Sequence, residues 1–303
     1  MIRIGTAGWS YSSGPGRWVG IFYPAHGKVD HLRFYARYFN TVEVNSTFYG
    51  PPEAPTTRTW TTKTPDDFRF SIKLYHKFTH PQLFASSTGR DPKLTPADFA
   101  EFRAGIDPLA EAGKLGPLIA QFPASFKRTD ESLGRLDELL VGFAPFPVVV
   151  ELRHRSWTAS DEVATLMRAH GASWAHIDEP RFRTSIRDIP DVGPYPYFRF
   201  HGRNFTTWWK GDRDARYDYL YSLEEQAELA QRITSVARTA QDTHVTYNNH
   251  YGAKAAANGI QMRLMLGQTI DAPIPPTLLE TFPDLAKLVQ EEAAERSNPE
   301  RTA

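Results

Sequence analysis

Short apolar strands whose alternate positions turn polar toward their ends recur along this chain. The segments VEVN at 42–45, FSIK at 70–73, VELR at 150–153 and FRFH at 198–201 show the pattern. Because successive side chains of a strand point to opposite faces, the polar members of each segment share one face and the apolar members share the other. Polar groups gathered inside one end of a sheet, with helices packed outside, are typical of an active-site barrel.

The same pattern predicts eight strands, each followed by a stretch of helical periodicity. The strands are expected near residues 2–8, 41–47, 69–74, 117–122, 148–153, 173–178, 197–201 and 244–248. The helices are expected over residues 29–38, 56–62, 96–112, 130–141, 160–169, 223–240, 253–266 and 283–295. Strand followed by helix, eight times, predicts an α/β fold of the (β/α)₈ TIM-barrel type, with an open doubly wound sheet as the alternative.

Loop lengths indicate which end of the barrel is elaborated. Turns from helix back to strand are short, as at 39–40 and 170–171, whereas the strand-to-helix loops 9–30, 75–95 and 202–222 are long. In a barrel the long loops emerge at the C-terminal face, where active sites of this fold lie. The 303-residue length suits one domain, and we predict a single domain over 1–295 with a frayed tail at 296–303.

Composition narrows the function classes. Lys and Arg together number 35, as do Asp and Glu, so the formal net charge is zero and any basic site must be local. The absence of cysteine excludes a disulfide framework, a thiol nucleophile and a thiolate zinc site. The start of the chain lacks an export signal, and no segment approaches the roughly twenty apolar residues of a membrane span. We therefore predict a soluble cytoplasmic protein without a membrane partner, with leaderless export left open.

Charged side chains on the inner faces of the second, third and fourth strands are the first candidates for chemistry. Glu43, beside Asn45, is a candidate general base or metal ligand, and its structural alternative is an ion pair with Lys73. Lys73 itself suits Schiff-base formation or the binding of a phosphate or carboxylate. Gln121 closes the fourth strand and is either a ligand-orienting amide or a hydrogen-bonded filler.

Glu151 and Arg153 share the inner face of the fifth strand. Arg153 suits bidentate binding of a carboxylate or phosphate, and its structural alternative is a fork to Glu151 or Asp178. Asp178 ends the sixth strand on the face of His176, a pair that suits a metal or acid–base chemistry, although such a histidine is more often a core group.

An anion site is predicted at the ends of the last two strands. Arg199, His201 and Arg203 follow at a spacing of two, and Asn248 and Asn249 end the eighth strand. Phosphate sites of this fold often use the loops after the seventh and eighth strands. The structural alternative is a set of salt bridges that closes the barrel.

Aromatic side chains gather in the loops of the same face and are candidates for stacking on a ligand: Trp9, Tyr11, Trp18, Phe22, Tyr23, Phe48, Tyr49, Trp208 and Trp209. Trp9 and Trp208 are the favoured stacking platforms for a base or sugar, and Trp209 lies beside Lys210 and Arg213. The alternative is that these rings pack against one another inside a long loop and contact no ligand.

No familiar cofactor motif is present. The chain has no GxGxxG after its first strand, no P-loop and no HExxH helix. We predict no cofactor, although a single divalent metal on Glu43, Glu151 or Asp178 stays open.

Seven strings along nearly the whole chain carry a family resemblance. They are GTAGWSY at 5–11, WVGIFYP at 18–24, TVEVNSTFY at 41–49, TH at 79–80, ELR with SW at 151–157, RFHGR at 199–203 and NN at 248–249. Together they resemble the YecE-like family, domain of unknown function 72, with Ala7 replacing the usual serine or threonine. The resemblance implies a TIM barrel similar in architecture to sugar isomerases and endonuclease IV, but no agreed reaction. The metal-binding histidine array of that nuclease has no counterpart here.

Three hypotheses about function follow. The first is an enzyme, with hydrolase, isomerase or lyase chemistry, that acts on an anionic or phosphorylated small molecule or nucleotide by general acid–base catalysis. Arg153, Arg199 and Arg203 would hold the anion, Lys73 would polarise the reacting group, and a carboxylate would exchange the proton. The second is a nucleic-acid-binding or repair-nuclease-like barrel that uses basic and aromatic side chains of the mouth. The third is a non-catalytic scaffold.

Overall fold

Nine strands lie within residues 1–206, 208 and 215–297, which the computed structural model describes. They are β1 Ile2–Thr6, β2 Thr41–Val44, β3 Arg69–Lys73, β4 Leu115–Gln121, β5 Val148–Glu151, β6 Ser173–Trp174, β7 His176–Asp178, β8 Tyr197–Phe200 and β9 Thr243–Tyr247. Every predicted strand region contains an observed strand. The predicted strand at 173–178 is divided into β6 and β7 by a single residue, Ala175.

The strands form two parallel sheets. One sheet has five strands in the order β2-β3-β4-β5-β6, and the other has four in the order β1-β9-β8-β7. The predicted α/β class with parallel strands is therefore confirmed. A doubly wound sheet reverses its strand order at a switch point, whereas both sheets here follow chain order, with β9 followed by β1. The doubly wound alternative is therefore wrong.

Contacts also join strands of the two sheets. The backbone N–H of Gly8, beyond the end of β1, donates to the carbonyl of Glu43 in β2 at 2.7 Å, and Ala7 forms a parallel bridge with Glu43. These contacts set β1 and β2 side by side and parallel, so the carboxyl ends of strands from both sheets lie at one end of the molecule.

Helices separate the strands. They are α1 His31–Tyr35, α2 Ala54–Thr61, α3 His76–Thr79, α4 Pro81–Thr88, α5 Pro96–Glu111, α6 Asp130–Phe143, α7 Glu162–Ala169, α8 Leu223–Ala237, α9 Lys254–Met265, α10 Pro276–Thr281 and α11 Pro283–Ser297. All eight predicted helices are present, whereas α3, α4 and α10 were not predicted. In the described part of the chain, none of them has the length and apolar character needed to cross a membrane.

Local sequence signals explain where the longer helices begin. Thr95 and Asp98 form a capping box at the start of α5, and Ser222 and Glu225 form another at α8. Thr129 caps α6 by accepting a hydrogen bond from the backbone of Ser132. The predicted tail at 296–303 begins inside α11, and its residues 298–303 lie outside the described part of the chain.

The main core lies between the strands and the helices. Val42, Val44, Val148 and Val150 are buried, as expected for the apolar members of the alternating strands. Polar residues of the same strands, including Glu43, are also fully buried. Because buried charges require partners, this polar interior directs attention to the carboxyl ends of the strands.

Candidate functional site

A pocket of about 490 Å³ opens at the carboxyl ends of the strands. Eight residues predicted as site residues line it, each at a strand end or in a loop beyond one: Asn45, Lys73, Gln121, Arg153, Arg199, His201, Trp208 and Asn248. The alternating pattern of the strands explains this convergence, since the polar face of each strand continues into the pocket.

The floor of the pocket is a buried ion-pair network centred on Arg199. This guanidinium donates to both carboxylate oxygens of Glu43, from Nε at 2.8 Å and from Nη2 at 2.6 Å, and from Nη1 to Glu151. The hydroxyl of Tyr197 donates to Oε2 of Glu43 at 3.2 Å. Glu43 and Glu151 are fully buried, so their charges are balanced within the protein.

Arg153 extends the network toward the pocket. Its Nε donates to Oε1 of Glu151 at 2.7 Å, and its Nη1 lies 2.9 Å from Oε2 of Glu179. Burial alone would raise the pKa of Glu151, but Arg153 and Arg199 outweigh it and hold that pKa well below its usual range. Burial raises the pKa of Glu179, against the opposing effect of Arg153. The predicted fork between Arg153 and Glu151 is present, and Arg153 also lines the pocket.

The charges are arranged asymmetrically. Four cationic side chains line the pocket: Lys73, Arg153, Arg199 and Arg216. Among the residues that the structure describes, no aspartate or glutamate lines it. The carboxylates of Glu43 and Glu151 are engaged by the guanidinium groups and are inaccessible to solvent. A ligand in the pocket would therefore meet positive charge before it met negative charge.

Lys73 differs from the two arginines of the network. Its Nζ makes no salt bridge to a described carboxylate, and it lies 4.4 Å from the centroid of the Phe48 ring. The ion pair between Lys73 and Glu43 considered from the sequence is thus replaced by the Arg199–Glu43 pair. Burial and the charge of Arg199 lower the pKa of Lys73 to about 8. Asn45 lies just beyond the end of β2, the strand that pairs with the strand of Lys73. Its buried Oδ1 accepts no hydrogen bond from a described residue.

Two histidines of the pocket are held neutral. Burial and the charge of Lys73 lower the pKa of His80 to about 3, and its ring lies 4.9 Å from that of Phe48. Burial lowers the pKa of His201 to about 4, although Glu151 opposes the shift. Nδ1 of His201 lies 2.9 Å from Nδ2 of Asn248, and its Nε2 lies 3.2 Å from Nη2 of Arg153.

The structure places other predicted site residues outside the pocket lining. Asp178 pairs with Arg203 at 2.8 Å and accepts a hydrogen bond from Tyr221 at 2.8 Å, while Arg203 also pairs with Glu225. Asn249 is fully buried and donates to the carbonyl of Tyr219 at 2.8 Å. The roles predicted for Asp178, Arg203 and Asn249 stay predictions, and the contacts they make here are structural.

Trp9 and Trp208 have different surroundings. Trp9 packs edge-on against Trp60 with ring centroids 5.5 Å apart, away from the pocket lining. Trp208 lines the pocket, with its ring centroid 6.4 Å from that of His201. Trp209, Lys210 and Arg213 lie outside the described residues.

His176 behaves as a core group. Its ring stacks on Phe198 at 4.8 Å, and its nitrogens lie 3.0 Å from Arg232 and 3.1 Å from Asp191. Across residues 1–206, 208 and 215–297, no three His, Asp or Glu side chains are grouped so that they could share a metal ion. The expectation that the protein uses no cofactor stays a prediction.

Several pocket residues were not among the predicted site residues. They are His80, Leu83, Pro123, Ala124, Arg216, Tyr217 and His250, whereas Tyr11, Phe48 and Tyr49 belong to the aromatic residues expected in the loops of this face. His80 lies in the TH string at 79–80, but it follows the unpredicted helix α3. Phe48 belongs to a short 3-10 helix, Ser46–Phe48, just after β2. Arg216 lies in another short 3-10 helix, Ala215–Tyr217, in a long loop where no periodic pattern singles it out.

Comparison with known proteins assigns the family. The family model described as "Protein of unknown function DUF72" matches residues 3–280. The UPF0759 protein YunF of Bacillus subtilis (strain 168) is 29% identical over 282 residues, which span 88% of this chain and 95% of YunF. The UPF0759 protein YecE of Escherichia coli (strain K12) is 32% identical over 163 residues, which span 54% of this chain and 52% of YecE.

Solved structures agree with this assignment. The crystal structure of a DUF72 family protein from Thermotoga maritima MSB8 is 35% identical and superimposes with a TM-score of 0.76, covering 88% of this chain and 100% of that one. A DUF72 family protein from Enterococcus faecalis V583 is 27% identical with a TM-score of 0.77, covering 91% of this chain and 98% of that one. With a family match over 3–280, the predicted YecE-like relationship is confirmed, and the chain belongs to the DUF72 family.

Proposed function

We propose that the protein is an enzyme that binds an anionic small molecule, a phosphorylated metabolite or nucleotide, in this pocket and acts on it by general acid–base catalysis. The observation that carries the proposal is the cationic lining of the pocket, in which the described residues include four cations and no carboxylate. Arg153 and Arg199 are engaged by buried carboxylates, so Lys73 and Arg216 supply most of the charge that a ligand meets. Guanidinium groups are well suited to phosphate because their planar donors match its oxygens.

Different residues hold the charged groups of the pocket in place and transfer protons. Glu43 and Glu151 hold Arg199 and Arg153 in place through buried hydrogen bonds. Lys73 and His80 have pKa values of about 8 and about 3, and both line the pocket. In this proposal the amine of Lys73, whose pKa lies near neutral pH, exchanges protons with the substrate, and the neutral imidazole of His80 relays them. Lys73, rather than Glu43, Glu151 or Asp178, then acts as the general acid and base.

The proposal includes a closed (β/α)₈ barrel as the scaffold. The Gly8–Glu43 hydrogen bond spans the gap between β1 and β2, and β6 is separated from β7 by Ala175 alone. If β6 and β7 count as one strand, the chain supplies eight parallel strands in cyclic order. Such a barrel, as one domain, would place the pocket at its C-terminal mouth.

A ligand screen tests the function. Thermal unfolding is followed with phosphorylated sugars, nucleotides and inorganic phosphate, because a ligand that binds the folded state raises the melting temperature. We expect stabilisation by phosphorylated compounds that is reduced in Arg216→Gln. Arg128→Gln is the matched control, since Arg128 pairs with Asp130 and Glu162 outside the pocket. Absence of stabilisation by every compound at millimolar concentration would contradict the proposal.

One observation favours a second candidate, a site for single-stranded nucleic acid. Tyr49 is 67% exposed at the pocket, and Tyr11 stacks on His250 at 4.6 Å. Exposed rings beside cations are typical of surfaces that stack bases. Binding of an oligonucleotide should then weaken steeply with salt because phosphate contacts release counterions. Binding of free nucleotides without oligonucleotides would exclude this candidate.

A further inference from the structure

We infer that the Nζ amine of Lys73 forms an imine with a carbonyl group of the substrate, so that the substrate class is an anionic, phosphorylated aldehyde or ketone. This inference rests on the proposed function, because the pocket must first bind the anionic group. It names the electrophile and the bond that forms.

The first support is the position of the amine. Arg153 and Arg199 each contact carboxylates, but within the described residues Lys73 has no carboxylate within 4.0 Å, and it lies over the Phe48 ring. A lysine that serves as a structural counter-ion is expected to contact its carboxylate, as Lys77 contacts Asp98 at 2.6 Å. Lys73 instead ends β3 at the pocket. Its nitrogen is therefore placed for a ligand.

The second support is the protonation state of the amine. Only the neutral form of an amine attacks a carbonyl, and desolvation beside another cation favours that form. At pH 7 a lysine with a pKa of about 8 is about one-tenth neutral, whereas one at the ordinary value of 10.5 is neutral in roughly one part in three thousand. The charges that face Lys73 are those of Arg199 and Arg153, which lower its pKa, and of Glu43 and Glu151, which raise it.

The third support is a second cation in the pocket lining. Lys73 lies over the Phe48 ring, and the ring of His80 lies 4.9 Å from that of Phe48. Arg216 also lines the pocket, and its guanidinium lies 5.9 Å from the centroid of the Tyr217 ring. In this inference the phosphate of the substrate binds Arg216 and its carbonyl reaches Lys73.

The chemical step balances without an external oxidant or reductant. The lone pair of Nζ attacks the carbonyl carbon, and the C–N bond forms as the C=O π electrons move to oxygen. That oxygen takes one of the two protons of the attacking nitrogen, relayed through His80, to give a carbinolamine. The second proton of the nitrogen then moves to the hydroxyl, which leaves as water, and the C=N bond remains. The imidazole of His80 stays neutral in this relay, because it accepts a proton at one ring nitrogen while it releases one from the other.

Reductive trapping on the full chain tests the inference. The protein is incubated with pyridoxal 5′-phosphate, an aldehyde that carries a phosphate, and then with borohydride, and the modified lysines are mapped by mass spectrometry. Pyridoxal, which lacks the phosphate, is the matched probe, and exposed Lys93 is the internal reference position. Pyridoxal reacts more weakly with every lysine because its free 5′-hydroxyl closes on the aldehyde, and Lys93 measures this general difference. We expect the preference of Lys73 for the phosphate-bearing probe to exceed that of Lys93 about tenfold, since one charge-assisted contact is worth that much.

Three variants and one competitor keep the outcomes separate. Inorganic phosphate should protect Lys73 but not Lys93. Arg216→Gln should lower labelling by pyridoxal 5′-phosphate but leave labelling by pyridoxal unchanged. Lys73→Arg keeps the charge without the nucleophile, so it should still bind phosphate but lose the label at position 73. Lys127→Arg, at an exposed position outside the pocket lining, should behave as wild type.

Two results would count against the ideas in different ways. If phosphate binds and raises the melting temperature while Lys73 is labelled no more than Lys93, the imine inference is wrong but the anion-binding pocket is supported. If neither phosphate nor the phosphate-bearing probe binds at the pocket, the proposed function is wrong as well.

Discussion

Glu151 offers the sharpest test of the buried network, through the substitution Glu151→Gln. Its carboxylate is inaccessible to solvent and contacts Arg199 and Arg153, the latter at 2.6 Å. Removing one partner of a buried ion pair costs about 3–5 kcal/mol because the remaining charge is left uncompensated. Glutamine retains one acceptor oxygen, so we expect a loss of about 3 kcal/mol in the free energy of unfolding, which lowers the melting temperature by roughly 6–12 °C.

The pH dependence of that loss provides a second readout. The pKa of Glu151 in the folded protein lies well below its ordinary value of 4.5. Its ionised form therefore contributes stability above the unfolded pKa, and the contribution is lost as the pH falls through the folded pKa. The difference in unfolding free energy between wild type and Glu151→Gln should stay constant from pH 6 to 8 and shrink below about pH 4.5.

Urea denaturation followed by tryptophan fluorescence, at a series of pH values, measures both quantities. Glu162→Gln is the matched control, since Glu162 pairs with Arg128 at a side-chain exposure of 46%. Exposed pairs contribute little, so this control should leave the midpoint of unfolding unchanged. A Glu151→Gln protein as stable as wild type at pH 7, or a difference that does not narrow in acid, would refute the account of the network.

Three further predictions concern packing, stacking and titration. Gly105→Ala should destabilise the protein by about 1–3 kcal/mol or more in urea unfolding, because a Cβ there would lie 1.9 Å from the carbonyl oxygen of Pro52. Gly134→Ala, in open space on α6, should instead stabilise it by about 0.5–1 kcal/mol. Equal effects of the two substitutions would contradict the close packing of Gly105 against Pro52. Tyr49→Ala should weaken nucleotide binding about tenfold in calorimetry without changing the melting temperature, and unchanged affinity would exclude stacking. The rate of trapping at Lys73 should rise with pH and level off above about 8, and a rise that continues toward the ordinary value of 10.5 would contradict the shifted pKa.

The alternating strands explain why much of the site was predictable. A period of two places Glu43 and Glu151 on the polar faces of their strands, and both are fully buried there. Strand ends also identified Lys73, Gln121 and Asn248 as pocket residues. These predictions depend only on local periodicity and on the rule that parallel strands end together.

The pairing of charges could not be read from the sequence in the same way. Glu43 and Arg199 are 156 positions apart, and their strands belong to different sheets. Lys73, on the strand next to Glu43, was the nearer partner by local reasoning, but a guanidinium satisfies both carboxylate oxygens at once. The position of Trp9 was not readable from local pattern either: it follows Gly8, whose φ is 84°, beyond the end of β1, and it packs against Trp60 instead of lining the pocket.

The arrangement of charge sets a condition on any substrate of this pocket. The buried carboxylates of Glu43 and Glu151 are engaged by Arg199 and Arg153, so the cationic character presented to a ligand comes largely from Lys73 and Arg216. An anion bound directly against Lys73 would raise its pKa and suppress the neutral amine, since an opposite charge favours the charged form. The same anion bound to Arg216 instead would leave the amine reactive. A productive substrate must therefore hold its phosphate away from its carbonyl, and free inorganic phosphate, which can also bind beside Lys73, should inhibit rather than activate.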